Sequence, residues 1–249
     1  MGIDILYGQS QRDLLRTCYK EVFEAGHRYS RSIIIVPETQ KFDIEYEYLK
    51  SSDIPGMMKT QVLSFSRFCR KLLDETGMNN IYKREYIDEA GSTMLVYRIL
   101  KENPDKFLIY KNLSIKPMFA TSLVSVIGEM KRFLLSGEMI QEASVKITDK
   151  VLSQKTYELG LLISLYDKYL EEFSLFDPSD NYIVTTKILE ELILIKQGKK
   201  AYMPYDRLNW IYSSSFKITG FAGKRNFTPQ EMKIINCLGA LADVSLTAV

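Results

Sequence analysis

The sequence predicts an α/β fold, a parallel sheet interrupted by a large all-helical insertion, and three observations predict it. The first 76 residues alternate strand and helix three times. From about Ile87 to Gln197 almost every window carries helical periodicity, with no strand-like alternation between. Strand-type sequence then returns, and the chain runs strand, helix, strand to Val249. On this reading residues 1–86 and 198–249 form the sheet domain, and 87–197 form a helical insertion of about four helices.

In chain order, Ile3, Ile5 and Tyr7 make a short apolar strand that Gly8 ends. Gln9 to Ala25 carries Leu14, Leu15, Cys18, Val22 and Phe23 as one helical stripe, and Gly26 stops it. Ser32 to Val36 is a continuous apolar run ending at Pro37, as expected of a strand buried on both faces. Glu38 to Lys50 reads as a helix with Phe42, Ile44, Tyr46 and Leu49 inward, and the Pro55-Gly56 stretch as a loop. Gln61 to Ser64 is a third strand, followed by a helix from Phe65 to Thr76 with Phe68, Leu72 and Leu73 on one face. Three such βα units predict a doubly wound sheet whose ligands lie beyond the carboxyl ends of its strands.

The helical stretch divides into Ala90 to Glu102, Phe119 to Leu135, Gln154 to Phe173 and Asp180 to Gln197. Asp177 and Pro178 are expected to open the last of these as N-cap acid and first helical residue. Leu208 to Tyr212 and Phe216 to Phe221 have strand character on either side of a short serine turn. Thr228, Pro229 and Glu231 spell a capping box for a helix to Leu241, and Asp243 to Val249 is a last strand. A chain ending on an apolar strand is expected to be part of a longer polypeptide.

Composition narrows the chemistry. The 249 residues are 46% hydrophobic and 26% charged, enough for a sizeable core. A net charge of +2 excludes a polybasic protein but leaves room for a local basic face. Cys18, Cys69 and Cys237 are odd in number and far apart, which predicts reduced thiols in a cytoplasmic protein without a disulfide framework. With His27 as the single histidine, a histidine-based metal site or catalytic dyad is not expected. No signal peptide is read before the first strand, and no apolar run of about 18 residues is present to span a membrane.

A strand, a glycine turn and a helix at the start of a chain form the frame of a phosphate-binding loop, where backbone N–H groups and the helix N-terminus hold phosphate oxygens. That loop needs G-x-x-x-x-G-K-[ST]. From Gly8 the chain instead reads Gly-Gln-Ser-Gln-Arg-Asp-Leu-Leu, so Leu14 and Leu15 stand where the lysine and the magnesium-binding hydroxyl belong. Asp13 replaces the second glycine with a negative charge. The residues leave two readings open: a degenerate phosphate loop framed by Gly8, Ser10, Leu14 and Leu15, or an ordinary βα unit.

Three blocks, Ile33-Ile-Ile-Val-Pro-Glu38, Gln61-Val-Leu-Ser-Phe-Ser-Arg67, and Gly220-Phe221 with Asn226-Phe-Thr-Pro-Gln-Glu231, stand in order along the chain. Together they resemble the N-terminal region of the B subunit of the bacterial ATP-dependent helicase/deoxyribonuclease, the AddB/RexB family. The likeness extends over essentially the whole chain, including the Phe176-Asp-Pro-Ser-Asp180 helix start. It implies a RecA-like, P-loop NTPase-type domain of the superfamily 1 helicases (1A-like) with an inserted helical subdomain (1B-like). Many members keep the loop lysine, where this chain has Leu14, and an aspartate before the Gly-Phe pair, where it has Thr219. Losing both removes the phosphate cradle and the magnesium ligand.

The resemblance also implies a role. In superfamily 1 helicases the segments after the second and third strands contact single-stranded DNA, and the matching positions are Glu38 to Gln40 and Ser64 to Arg67. Gln40, Ser64, Phe65, Ser66 and Arg67 are therefore the candidate DNA contacts, the serines and arginine toward phosphate and Phe65 as a stacking face. The residues alone read equally as a buried phenylalanine, a helix cap and a solvated arginine. Lys196, Lys199, Lys200, Lys224 and Arg225 read as solvated loop charge, or as candidates for a basic rim. By resemblance the complete protein carries a C-terminal nuclease domain with an iron–sulfur cluster and magnesium. It forms a heterodimer with a motor partner that hydrolyses ATP, and it reads the recombination hotspot Chi during double-strand break repair. The favoured expectation is a catalytically silent DNA-binding and scaffold domain. The alternative is a nucleotide hydrolase whose loop tolerates substitution.

Overall fold

A computed structural model describes residues 2–8, 10–24, 28–52, 59–76, 85–112, 117–199, 206–219 and 227–248. The chain divides into two compact units, Met1–Ile81 with Asn181–Val249, and Tyr82–Asp180.

The first unit is built on a five-stranded sheet in the order β1-β7-β6-β2-β3, every neighbouring pair parallel. Its strands are β1 (Ile3–Tyr7), β2 (Arg31–Ile35), β3 (Thr60–Leu63), β6 (Ser214–Thr219) and β7 (Asp243–Ala248). Strands before and after the helical stretch thus share one sheet, as an α/β fold of RecA-like type requires. The isoleucine run makes β2 an inner strand between β6 and β3. Period-two geometry sends Ile33 and Ile35 to one face and Ile34 to the other. On the first face they meet Phe216 and Ile218 of β6, Phe68 and Leu72 of α3 (Phe65–Thr76), and Ile234 and Leu238 of α9 (Pro229–Leu241). On the second, Ile34 packs with Leu15, Tyr19 and Val22 of α1 (Gln11–Glu24) and Ile44 and Tyr48 of α2 (Lys41–Ser52).

That second face also holds a charge. Lys217, between Phe216 and Ile218 on β6, is only 8% exposed; its ammonium donates to the Glu21 carboxylate on α1 and to Ser245 Oγ at 2.8 Å. An unpaired ammonium there would be strongly destabilising, so Glu21 and Lys217 are kept together.

The structure corrects several details of the helices. Phe23, Phe42 and Tyr46 point outward, at 53%, 77% and 59% exposure, while Tyr19 and Tyr48 are buried. The inward positions are four apart on each helix, Leu15–Tyr19 and Ile44–Tyr48, and the two tyrosine rings meet edge-on at 5.7 Å. Leu208 to Tyr212 is not a strand: Asp206–Ser213 is a 3₁₀ helix that buries Leu208 and Ile211, three residues apart, and turns the Ser214 hydroxyl back onto the Trp210 carbonyl at 2.6 Å. The capping box of α9 forms, with Glu231 N–H on Thr228 Oγ1 and Thr228 N–H on Glu231 Oε2.

In the second unit lie α4 (Glu89–Glu102), α5 (Pro117–Arg132), α6 (Gly137–Ser144) and α7 (Lys150–Glu172), with a short parallel pair, β4 (Glu85–Tyr86) and β5 (Leu175–Phe176). The pair and α6 are too short to announce themselves by periodicity. Gly137 lets α6 press against α7, because a Cβ there would lie 2.3 Å from the Gly160 carbonyl oxygen. Glu158, fully buried on α7, accepts the N–H groups of Leu108, Ile109 and Tyr110 at 2.8 to 3.0 Å. Lys131 is likewise buried, on Asp167 at 2.7 Å and Asp180 at 3.3 Å, with the Tyr166 ring beneath it.

The sequence set the helical stretch at 87–197, whereas α8 (Asp180–Lys196) goes with the sheet from Asn181 onward. Its Ile188, Leu189 and Leu192 sit in the same core as β2, β6 and α3. The helix begins at Asp180, three residues after the expected acidic cap; Asp177 instead accepts from Ser179 N–H at 2.8 Å. Cys18, Cys69 and Cys237 are free and buried, and burial pushes their thiols up to about 11, 12 and 11. No helix among the described residues is long and apolar enough to cross a membrane.

Candidate nucleic-acid interface at the carboxyl edge of the sheet

Because all five strands run the same way, their carboxyl ends share one edge, and α1, α2, α3 and α9 start there. Helix starts bring unsatisfied N–H groups and partial positive charge, so this edge is where an anion is held if one is held at all.

The first βα turn has used that space for packing. Leu14 and Leu15 are each 7% exposed. Leu15 joins Ile34, Val36, Ile44 and Val62 under the sheet. Leu14 lies back over the end of β1: a Cβ on Gly8 would come 2.9 Å from Leu14 Cγ, so glycine is what lets the leucine close down. Leu14 N–H is taken by the Ser10 carbonyl at 3.1 Å. Ser10 is half-buried, and Asp13 is exposed at the helix start. Thr219, at the end of β6, is buried with its hydroxyl on the Ile35 carbonyl at 3.4 Å. Gly220 to Asn226, with Lys224 and Arg225, and Lys200 lie outside the described residues, as does His27. Among the described residues no group of three His, Cys, Asp or Glu is arranged to hold a metal ion.

The third βα turn is different. Ser64 is buried at the start of α3, its Oγ 3.0 Å from Ser66 Oγ and facing the Arg67 N–H at 3.4 Å. Ser66 and Arg67 are exposed. Phe65 turns inward at 7% exposure and meets Phe227 edge-on at 6.1 Å, so its ring face is not offered to a base. The polar members of the predicted set, Ser64, Ser66 and Arg67, are therefore together, and the aromatic one is core.

Strand order gives Glu38, at the head of the matched segment after β2, a partner in the turn after β3. β2 and β3 are neighbours, with Ile35 opposite Leu63 and the Val36 N–H on the Leu63 carbonyl at 2.9 Å. The 3₁₀ turn Glu38–Gln40 that follows β2 thus lies beside Ser64 to Arg67. Arg67 Nε donates to Glu38 Oε1 at 2.7 Å, across a pair about half exposed on each side. The Ser64 hydroxyl above all, with the Arg67 guanidinium and Lys41, holds the Glu38 carboxyl below its ordinary range against the opposing effect of burial. Gln40 is half-buried on the same turn, its N–H on the Pro37 carbonyl at 3.0 Å. Of the expected basic rim, Lys196 is spent elsewhere, donating to the Ala240 and Leu241 carbonyls at the end of α9, and Lys199 is exposed.

Comparison with known proteins covers nearly the whole chain. The family model described as ADDB, N-terminal, matches residues 5–248. The B subunit of the ATP-dependent helicase/deoxyribonuclease of Clostridium kluyveri is 29% identical over 237 residues, 94% of this chain and 19% of that protein. Its counterpart of the same name in Bacillus subtilis is 28% identical over 260 residues, 100% of this chain and 20% of that protein. That of Bacillus velezensis is 27% identical over 247 residues, 96% and 19%. The chain spans about a fifth of the length of the curated relatives it matches.

Proposed function

The chain belongs to the ADDB N-terminal family, and from that premise we propose that it is a catalytically inactive, helicase-like region of the B subunit of a helicase/deoxyribonuclease, one that contacts single-stranded DNA. One observation carries the reading. At the carboxyl edge of a single parallel sheet, the turn that would grip a nucleotide is filled by Leu14, whereas the turn after β3 keeps Ser64, Ser66 and Arg67 polar and together. Phosphate oxygens along a strand are served by hydroxyl, guanidinium and helix-start N–H donors of this kind. Gln40 extends the same track, and Phe65 supports it from the core.

In this proposal Tyr82–Asp180 is the helical subdomain inserted into a RecA-like motor fold. The region serves double-strand break repair as scaffold and DNA guide, including the reading of Chi, beside a motor partner that turns over ATP. The iron–sulfur cluster and the magnesium chemistry belong to a nuclease domain elsewhere in the complete protein.

The test uses two ligands on the purified chain. A fluorescent ATP analogue should fail to bind, with and without DNA, while a labelled single-stranded oligonucleotide binds and is released by salt. DNA-stimulated phosphate release by a preparation free of other ATPases would favour the alternative, a nucleotide hydrolase with a degenerate loop.

A further inference from the structure

A side chain bonded to the polar turn is itself an anion. Glu38 accepts from Arg67 Nε at 2.7 Å and from the Ser64 hydroxyl, two of the donors that a DNA phosphate would use. Lys41, the other cation near it, is drawn to Glu45 at 3.5 Å. The Glu38–Arg67 pair is about half exposed on both sides, so a strand arriving from solvent reaches it, and an ion pair this wet adds little to the fold. A carboxylate and a phosphate present equivalent oxygens to a guanidinium.

We propose that Glu38 is a built-in competitor for the DNA backbone, holding Arg67 and Ser64 as a phosphate would and yielding them only when a strand displaces it. The inference rests on the DNA-contact reading above and adds its regulation. Such a competitor lowers the affinity of the turn for any one phosphate. A strand that must move along the edge is then held by several weak exchanges and by no single strong one.

The experiment is fluorescence anisotropy at low salt with a fluorescein-labelled single-stranded oligodeoxythymidine and the purified chain. It compares wild type with Glu38→Gln, Glu38→Asp, Arg67→Ala and the Glu38→Gln/Arg67→Ala double variant. Removing the charge in Glu38→Gln should tighten binding about three- to fivefold, the range open to an exposed ion pair. Glu38→Asp, which keeps the charge and is the control for disturbance of the turn, should stay within about twofold of wild type. Without Arg67 to release, the gain from Glu38→Gln should fall below about twofold, the coupling a double-mutant cycle isolates. If Arg67→Ala weakens binding but Glu38→Gln leaves it unchanged or weaker, Glu38 positions Arg67 for DNA and the competitor is refuted while the DNA-contact reading stands. If wild type and every variant fail to bind, the DNA-contact reading falls and takes this inference with it.

Discussion

The first and third βα turns lie at the same edge of the same sheet, each joining a parallel strand to a helix, yet they have gone opposite ways. The first closes on itself: Leu14 covers Gly8 and Leu15 enters the core, at the positions where a phosphate loop has its lysine and hydroxyl. The third keeps the Ser66 hydroxyl and the Arg67 guanidinium exposed at the rim, with Ser64 buried behind them and Phe65 turned into the core. Each opens a helix at the carboxyl edge and so brings the same kind of partial positive charge there. What decides between architecture and chemistry is whether two or three side chains turn toward the core, so a fold of this type can lose one ligand site and keep its neighbour.

The strongest way to break that contrast is to write the phosphate-loop residues back into the first turn. Leu14→Lys with Leu15→Thr exchanges two buried leucines for polar groups, the first over Gly8 and the second beside Ile34 and Val62. It should lower stability by about 3–5 kcal/mol, read as a fall in the urea midpoint, and gain no nucleotide binding while Asp13 remains. Binding of an ATP analogue by this variant would mean that the turn had kept its cradle.

Arg67→Ala probes the other side. Affinity for single-stranded DNA should drop by up to about tenfold at low salt, the salt slope should fall by about one unit at most, and stability should change by less than about 0.5 kcal/mol. Arg28→Ala, an exposed residue that precedes β2 at the opposite end of the strand, is the control and should leave both unchanged. Equal binding by all three proteins would make the third turn as purely architectural as the first.

Gly8→Ala sharpens the packing half of the comparison. The added Cβ meets the flexible end of Leu14, so about 1 kcal/mol of destabilisation is expected, and less when Leu14→Ala is already present. Equal losses in both backgrounds, measured by urea unfolding, would show that Leu14 does not close on Gly8. Ser66→Ala is the mildest change. It removes an exposed hydroxyl and should weaken DNA binding less than about threefold without altering the unfolding midpoint.

The sequence displayed much of this architecture because its signals were local. Ile33 to Ile35 announced an inner strand, and Thr228 to Glu231 a helix start, from a few adjacent residues each. Phe23, Phe42 and Tyr46 are apolar enough to suggest an inward face, but the four-residue spacing of Leu15–Tyr19 and Ile44–Tyr48 fills that face and leaves them outside. The 3₁₀ turn around Trp210 resembled a strand because a short apolar run does not reveal its period. At the site, Ser64, Ser66 and Arg67 are legible through the likeness of their segment to a family block. The segment Glu38 to Gln40 is legible in the same way, but the pairing of Glu38 with Arg67 is not, because it depends on β2 lying beside β3, and strand order is a long-range property that neither segment records.

The buried carboxylate of Glu158 has a consequence for how the helical unit opens. Leu108, Ile109 and Tyr110 lie in the connection between α4 and α5, leading into a single 3₁₀ turn (Tyr110–Asn112), where amide protons ordinarily trade with water on the time scale of a surface loop. Their hydrogens are locked instead on a side chain 48 to 50 residues away, inside α7. That places them with the slowest class of exchanging protons. In a deuterium time course these three amides keep time for the whole helical unit, and they should lose protection together with α7.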